Sequence, residues 1–198
     1  MKKILFLLFF VQVIVAQQKF EIDSVVYFQQ ELNKQYADST QSPLKKIDLA
    51  TFTALDFFPI SEVYFVQAKF IRTDKEKPFE MKTTTTRKPL YVKYGELHFT
   101  IDGEKCKLNI YQNVEFSKIE KYKNSLFLPF TDYTSGVGSY GGGRYIDLQI
   151  QEGFDWVIDF NQAYNPYCAY NEKYSCPIVP NENDLKVKII AGVKTFKK

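Results

Sequence analysis

Two carboxylates, a guanidinium and two amides are the side chains in this sequence best able to do chemistry together: Asp132, Arg144, Asp159, Asn161 and Asn165. Paired carboxylates serve as general acid and base when burial separates their pKa values, and they equally ligate calcium or bind a sugar. Asp132 and Asp159 are the candidates for such a catalytic role, and all five residues are candidates for holding a ligand. Gly141-Gly142-Gly143 precedes Arg144, and three glycines before an arginine can form a tight turn whose amides receive a carboxylate or phosphate together with the guanidinium. The alternative is a structural turn with Arg144 paired to Asp132 or Asp159. A nucleotide loop is not expected, because the Gly-Lys-Ser/Thr ending is missing and a strand pattern follows. His98 is the only histidine, with no second imidazole or thiol beside it, so it makes a poor metal ligand or triad base. Serine catalysis lacks both a base and a Gly-x-Ser-x-Gly elbow. No metal site and no cofactor are expected.

These side chains must be positioned by a chain that reads as mainly β. The fold expected is an antiparallel sheet, barrel-like or a sandwich, with one N-terminal helix. Val25, Phe28, Leu32 and Tyr36 recur at spacings of three and four, which predicts a helix over about 24–38 that ends before Ser42-Pro43. From about residue 62 to the C-terminus, short segments rich in Val, Ile, Phe, Tyr and Thr alternate with Gly and Pro breaks. Thr83 to Thr86 suits a strand, since β-branched side chains fit a pleated surface. Asp102-Gly103 is a favoured two-residue turn, and closing it pairs Ile101 with Glu104, Phe99 with Cys106, Leu97 with Leu108 and His98 with Lys107. A second hairpin is read from Arg144 to Phe160 around Gly153 in the left-handed region. It sets Ile150 against Phe154, Leu148 against Trp156 and Ile146 against Ile158. The opposite face then carries Tyr145, Asp147, Gln149, Asp155, Asp159 and Asn161. In this register Asp159 lies diagonal to Asp147, about 7–8 Å away, and Arg144 within side-chain reach of Asp159 or Asn161.

The 198 residues are 45% hydrophobic, 17% aromatic and 25% charged, which excludes disordered and collagen-like classes. Met1-Lys2-Lys3 followed by an apolar run from Ile4 to Val15 and by Ala16 reads as a signal peptide over 1–16, cleaved before Gln17. That run is too short to span a bilayer. A single β-rich domain over 17–198 is expected, with no integral membrane segment after cleavage. No cysteine follows the leader to carry a lipid, so the expected location is periplasmic or secreted. The formal charge is +3, and Lys2 and Lys3 leave with the leader. A surface so close to neutral gives no reason to expect nucleic acid.

From Leu126 onward a linked set of motifs occurs: Pro129-Phe130-Thr131-Asp132-Tyr133-Thr134-Ser135-Gly136, Tyr140 with Gly143-Arg144-Tyr145, Asp159-Phe160-Asn161, Asn165-Pro166-Tyr167-Cys168-Ala169-Tyr170, Cys176-Pro177 and Asn181-Glu182-Asn183 with Leu185. This resembles the family called domain of unknown function 1684, found in bacteria and archaea, over roughly Tyr94 to Lys194. Upstream, Phe79-Glu80-Met81-Lys82-Thr83 and Lys93-Tyr94-Gly95 are similar to secreted members from Bacteroidetes. The resemblance implies a periplasmic bacterial protein and supplies no activity. Members commonly have an acid at Gly138 and Ala-Gly-Glu where this chain has Ala191-Gly192-Val193.

Cys168 and Cys176 enclose no histidine and no zinc-type spacing, and the expected compartment is oxidising, so a disulfide is favoured, stabilising by roughly 2–3 kcal/mol. Free thiols are the alternative, as in family members without a leader. Cys106 is expected as an unpaired thiol on the apolar face. The functional reading is a β domain that receives a small polar or anionic ligand at a polar pocket at the sheet end. Its rivals are a carboxylate-dependent hydrolase or lyase in the same pocket and a structural envelope protein.

Overall fold

The computed structural model describes residues 18–196, so the expected leader lies outside the described residues. Helix α1 runs Ile22–Ala37 and a short α2 Lys46–Leu49; the strands are β1 Phe65–Arg72, β2 Phe79–Glu80, β3 Leu90–Ile101, β4 Glu104–Asn113, β5 Ser125–Phe130, β6 Arg144–Gln149 and β7 Asp155–Asp159. They form one antiparallel sheet in the order β6-β5-β4-β3-β1-β7, with β2 on the edge of β3. The sheet curls into a half-barrel, as the mainly β expectation requires. No helix among the described residues is long and apolar enough to cross a membrane.

Period-two alternation fills the concave side. Ala68 and Phe70 of β1, Leu97, Phe99 and Ile101 of β3, Leu108 and Ile110 of β4, Leu126, Leu128 and Phe130 of β5, Ile146 of β6 and Trp156 and Ile158 of β7 make one buried cluster. Phe70 stacks on Trp156 with centroids 3.9 Å apart. The Asp102-Gly103 hairpin has the register read from the sequence, Phe99 opposite Cys106 and His98 opposite Lys107. Both turn residues take positive φ, 51° and 80°, as its tight type demands.

The second hairpin is a correction. Gly153 does take φ 70°, but the strands it joins leave the turn splayed apart. Strand β6 pairs with β5, Leu126 opposite Leu148 and Leu128 opposite Ile146, whereas β7 pairs with β1, Ala68 opposite Trp156 and Val66 opposite Ile158. Alternation fixes which face a side chain takes and leaves the partner strand open, and apolar partners exist at both edges. Thr83 to Thr86 is a second correction: only Thr83 makes an isolated bridge, to Pro177, and β2 stops at Glu80. The threonine side chains bond to nearby backbone and to Ser175 instead, the local competition that favours turns.

The open end of the half-barrel is plugged by the C-terminal segment. Leu185, Val187, Ile189 and Ala191 are buried in the sheet's own cluster, alternating with exposed Lys186, Lys188 and Ile190. This is a strand pattern without a full strand partner. Arg144 and Asp132, both fully buried, take the partner's place. Arg144 Nη1 donates to the Ala191 carbonyl and Nη2 to the Ile189 carbonyl at 2.9 Å, while Asp132 Oδ2 accepts from Ile189 N–H at 2.7 Å. The pair is closed by Nη2 on Asp132 Oδ1 at 3.0 Å. Gly143 must be glycine for this: its φ is 90°, and a Cβ would lie 2.5 Å from the Phe130 carbonyl oxygen.

Lysine in place of Arg144 keeps the charge and loses the fork that serves two carbonyls and a carboxylate at once. Arg144→Lys is expected to lower stability by about 2–4 kcal/mol, read as a lower urea midpoint at unchanged m-value.

Candidate functional site

The five residues singled out from the sequence go to three places. Arg144 and Asp132 form the buried tie just described, and Asp132 also accepts from Thr134 N and Oγ1 at 3.1 and 3.0 Å. Asn161 is buried, its amide paired with both backbone groups of Ser61 at 2.9 Å. Asn165 is buried and donates to the Lys194 carbonyl and the Tyr170 hydroxyl. Asp159 accepts from Asn161 and Gln162 at the edge of the seam between β6 and β7. Arg144 thus meets Asp132, and no hydrogen bond or ion pair joins it to Asp159.

That seam is a concavity of about 420 Å³ in which Asp147 and Asp159 do face a common space, with Gln151, Gln162 and the segment from Gln18 to Ser24 around it. Gln151 bridges it by bonding to both backbone groups of Val157, and Tyr145 of β6 and Tyr164 exchange backbone bonds at 2.9 Å.

A larger cavity, about 560 Å³, lies on the face of the sheet turned away from the core. A bulge in β3 between Lys93 and Gly95 helps to build its floor. Tyr91 shares odd numbering with core Leu97 and Phe99, yet the extra residue turns it to the opposite face. The bulge needs Gly95, since a Cβ there would lie 2.3 Å from the Phe70 ring. Register then aligns Tyr111, Phe127 and Asp147 in one row across β4, β5 and β6. Phe28, Leu32 and Gln35 of α1 form the roof, and the chain from Tyr164 to Pro177 forms the far wall. The rings interlock: Phe127 meets Tyr145 edge-on at 4.7 Å, and Tyr91 lies 5.7 Å from Phe127.

Asp147 is the chemically unusual member of this lining. It lines both concavities and is exposed to solvent, and Tyr164 Oη donates to its Oδ2 at 2.8 Å. Desolvation by its surroundings holds the carboxyl above its ordinary value, with the Tyr164 hydrogen bond pulling the other way. Burial, then the neighbouring carboxylate, pushes the Tyr164 hydroxyl well up. Arg87 stands at the rim, tied to the Ser175 hydroxyl at 3.1 Å and carbonyl at 2.9 Å. The sequence reading placed Tyr145 and Asp147 on the polar face, but nothing in it signalled Tyr91, Arg87, Tyr164 or the roof.

Chain comparison identifies the surrounding fold. The family model described as Protein of unknown function (DUF1684) matches residues 50–194. The chain belongs to this family. A solved structure is similar: the solution NMR structure of an uncharacterized protein from Haloarcula marismortui is 30% identical, with a TM-score of 0.69, covering 88% of this chain and 94% of that one. Comparison with curated proteins gives no match. The DUF1684 region holds the floor and far wall of the large cavity, whereas α1 precedes it.

The remaining expectations concern metals and cysteines. Among the described residues, no group of three or more His, Cys, Asp or Glu is arranged to hold a metal ion. His98 bonds to Glu96 at 2.9 Å beside Lys107. The disulfide expected between Cys168 and Cys176 is corrected to two free thiols. They lie side by side, with Cys168 N–H donating to Cys176 Sγ at 3.1 Å, but not at bonding distance. The hydrogen bond from Cys176 lowers the Cys168 thiol to about 7, against burial. Cys106 is free and packs against the core cluster.

A carboxyl raised by folding favours the native state when protonated. Its contribution is complete below the unfolded value near 3.8 and is lost as pH rises through the higher native value. Asp147→Asn, which keeps an acceptor for Tyr164, is therefore expected to be more stable than wild type at neutral pH. The difference should close as pH falls toward 3.8, as urea titrations at both ends of that range would show.

Proposed function

We propose that this protein is an exported binding protein that receives a small polar ligand in the cavity between α1 and the outer face of the sheet. The observation carrying the proposal is the cavity itself, about 560 Å³ with aromatic walls and a few polar groups, Asp147, Asn113, Gln35 and Arg87, around it. Sites for small molecules have this character: apolar surface to displace water and a few polar groups to fix orientation. The volume lies within the range of about 300–1,000 Å³ typical of such sites. Export rests on the basic and apolar leader and on the similarity of Phe79 to Thr83 and Lys93 to Gly95 to secreted Bacteroidetes members.

The placement of the charges argues against the anionic alternative. Arg144, the group best suited to receive an anion, is fully buried and committed to Asp132, Ile189 and Ala191. Asp132 has its own donors in Thr134, Ile189 and Arg144. A carboxylate-dependent reaction in the large cavity would fall to Asp147, which lines it and, among the described residues, is not held by a cation.

The purified chain, screened by thermal shift against sugars, amines, organic acids, nucleotides and metal ions, is expected to show a saturable rise in Tm with a polar small molecule. Leu32→Trp, which places an indole under the roof, is expected to abolish that rise while the protein stays folded. Failure of every compound, or binding undiminished in Leu32→Trp, would overturn the cavity as the site.

Export has its own measurement. Mass analysis of the N-terminus of protein from its native source is expected to begin at Gln17. A mature protein that retains Met1 to Ala16 would refute cleavage.

A further inference from the structure

Resting on the reading of the cavity as a ligand site, we infer that its ligand carries an organic cation, an amine or quaternary ammonium, whose charged end sits against Asp147 and the surrounding tyrosine and phenylalanine rings. Two independent features converge on this. The first is charge: among the described residues no lysine, arginine or histidine forms an ion pair with Asp147, and only Tyr164 donates to it. Asp23, Asp38, Asp48, Asp102 and Asp159 also stand without an ion pair, but Asp147 is the acid that lines the aromatic cavity. Covering this carboxylate with a ligand that lacks a counter-charge would be costly, and a ligand that brings a cation avoids that cost.

The second feature is the walls. Tyr91, Phe127, Tyr145 and Tyr164 line the same cavity as Asp147, and the negative faces of aromatic rings attract ammonium groups, most strongly where water is displaced. Neutral sugars would stack on these rings and leave the carboxylate without a counter-charge. Anions would be repelled by Asp147, the only acidic side chain in the lining, and would find a cation only at the rim, in Arg87. That arginine is placed to meet an acidic group at the far end of the same ligand, which extends the class to zwitterions.

Calorimetry on the purified chain with choline, betaine, a short alkylamine, glucose and acetate tests this. Saturable binding of at least one ammonium probe is expected, weakened about tenfold or more in Asp147→Asn, the loss of roughly one charge contact. NMR titration of the wild-type protein with the same probe is expected to perturb Asp147 and Tyr164 first, which keeps the test decisive should the variant misfold. Binding of glucose or acetate without the ammonium probes, lost in Leu32→Trp, would overturn the cation and leave the cavity reading standing. Ammonium binding unchanged in Asp147→Asn, or perturbations away from Asp147, would also overturn it. Failure of every probe, with Leu32→Trp indistinguishable from wild type, would count against both.

Discussion

The tie between Arg144, Asp132 and the backbone of Ile189 and Ala191 is what the rest of the molecule depends on. Curling the sheet leaves a concave apolar surface that needs a cover, and the cover is a single extended segment from Leu185 to Ala191. Its buried amides and carbonyls need partners. Those near Leu185 and Val187 are served by the backbone of Thr131 and Tyr133; beyond them, the Arg144–Asp132 pair serves Ile189 and Ala191. Desolvating two charges is expensive, and a buried pair can cost more than apolar packing in its place. Here the charges also satisfy three backbone groups, which apolar residues could not do.

The same device recurs wherever the sheet is incomplete. Asn183 bonds both backbone groups of Asn109 and the Pro129 carbonyl, joining β4 to β5 where their ladder has lapsed. Gln151 does this for Val157 and Asn161 for Ser61. A side-chain amide carries a carbonyl acceptor and an NH2 with two donor hydrogens, so it can meet both backbone groups of a residue as a neighbouring strand would, at the cost of ordering one residue. Most of the polar residues that look functional in this sequence are therefore occupied in holding backbone. With the concave side filled and stapled, the seam and the large cavity both lie outside the core.

Legibility follows from this division. The Asp102-Gly103 hairpin was readable to the residue because its turn chemistry and alternation agree. The Gly153 turn was readable as a turn but not as a hairpin, since Ile146 and Leu148 pack equally well beside Leu128 and Leu126 as beside the β7 residues. Tyr91 was unreadable as cavity lining because the bulge at Gly95 reverses its parity without changing any residue around it. Arg144, Asp132, Asn161 and Asn165 were legible as important and not as structural: a buried polar group that binds a ligand and one that binds backbone are the same residue types at the same spacing. Asp147 was on the right face from parity alone, and only the converging rings from three strands, α1 and the Tyr164–Tyr174 segment distinguish it.

Floor and roof of the large cavity differ in how they are held. Asp147, Tyr145, Phe127 and Tyr91 stand on strands whose register is fixed by the plugged core, so their spacing is set by the fold. The roof comes from α1, which precedes the DUF1684 region and is anchored by Tyr36 through edge contacts to Tyr170 at 4.9 Å and Tyr167 at 6.2 Å. Replacing Phe28, Leu32 or Gln35 alters the shape and polarity of the space without touching the Arg144–Asp132 tie. A rigid, charged floor under an independently anchored roof separates the two requirements of a binding site. The sheet keeps the charge in place, and the helix sets which bodies attached to that charge can enter.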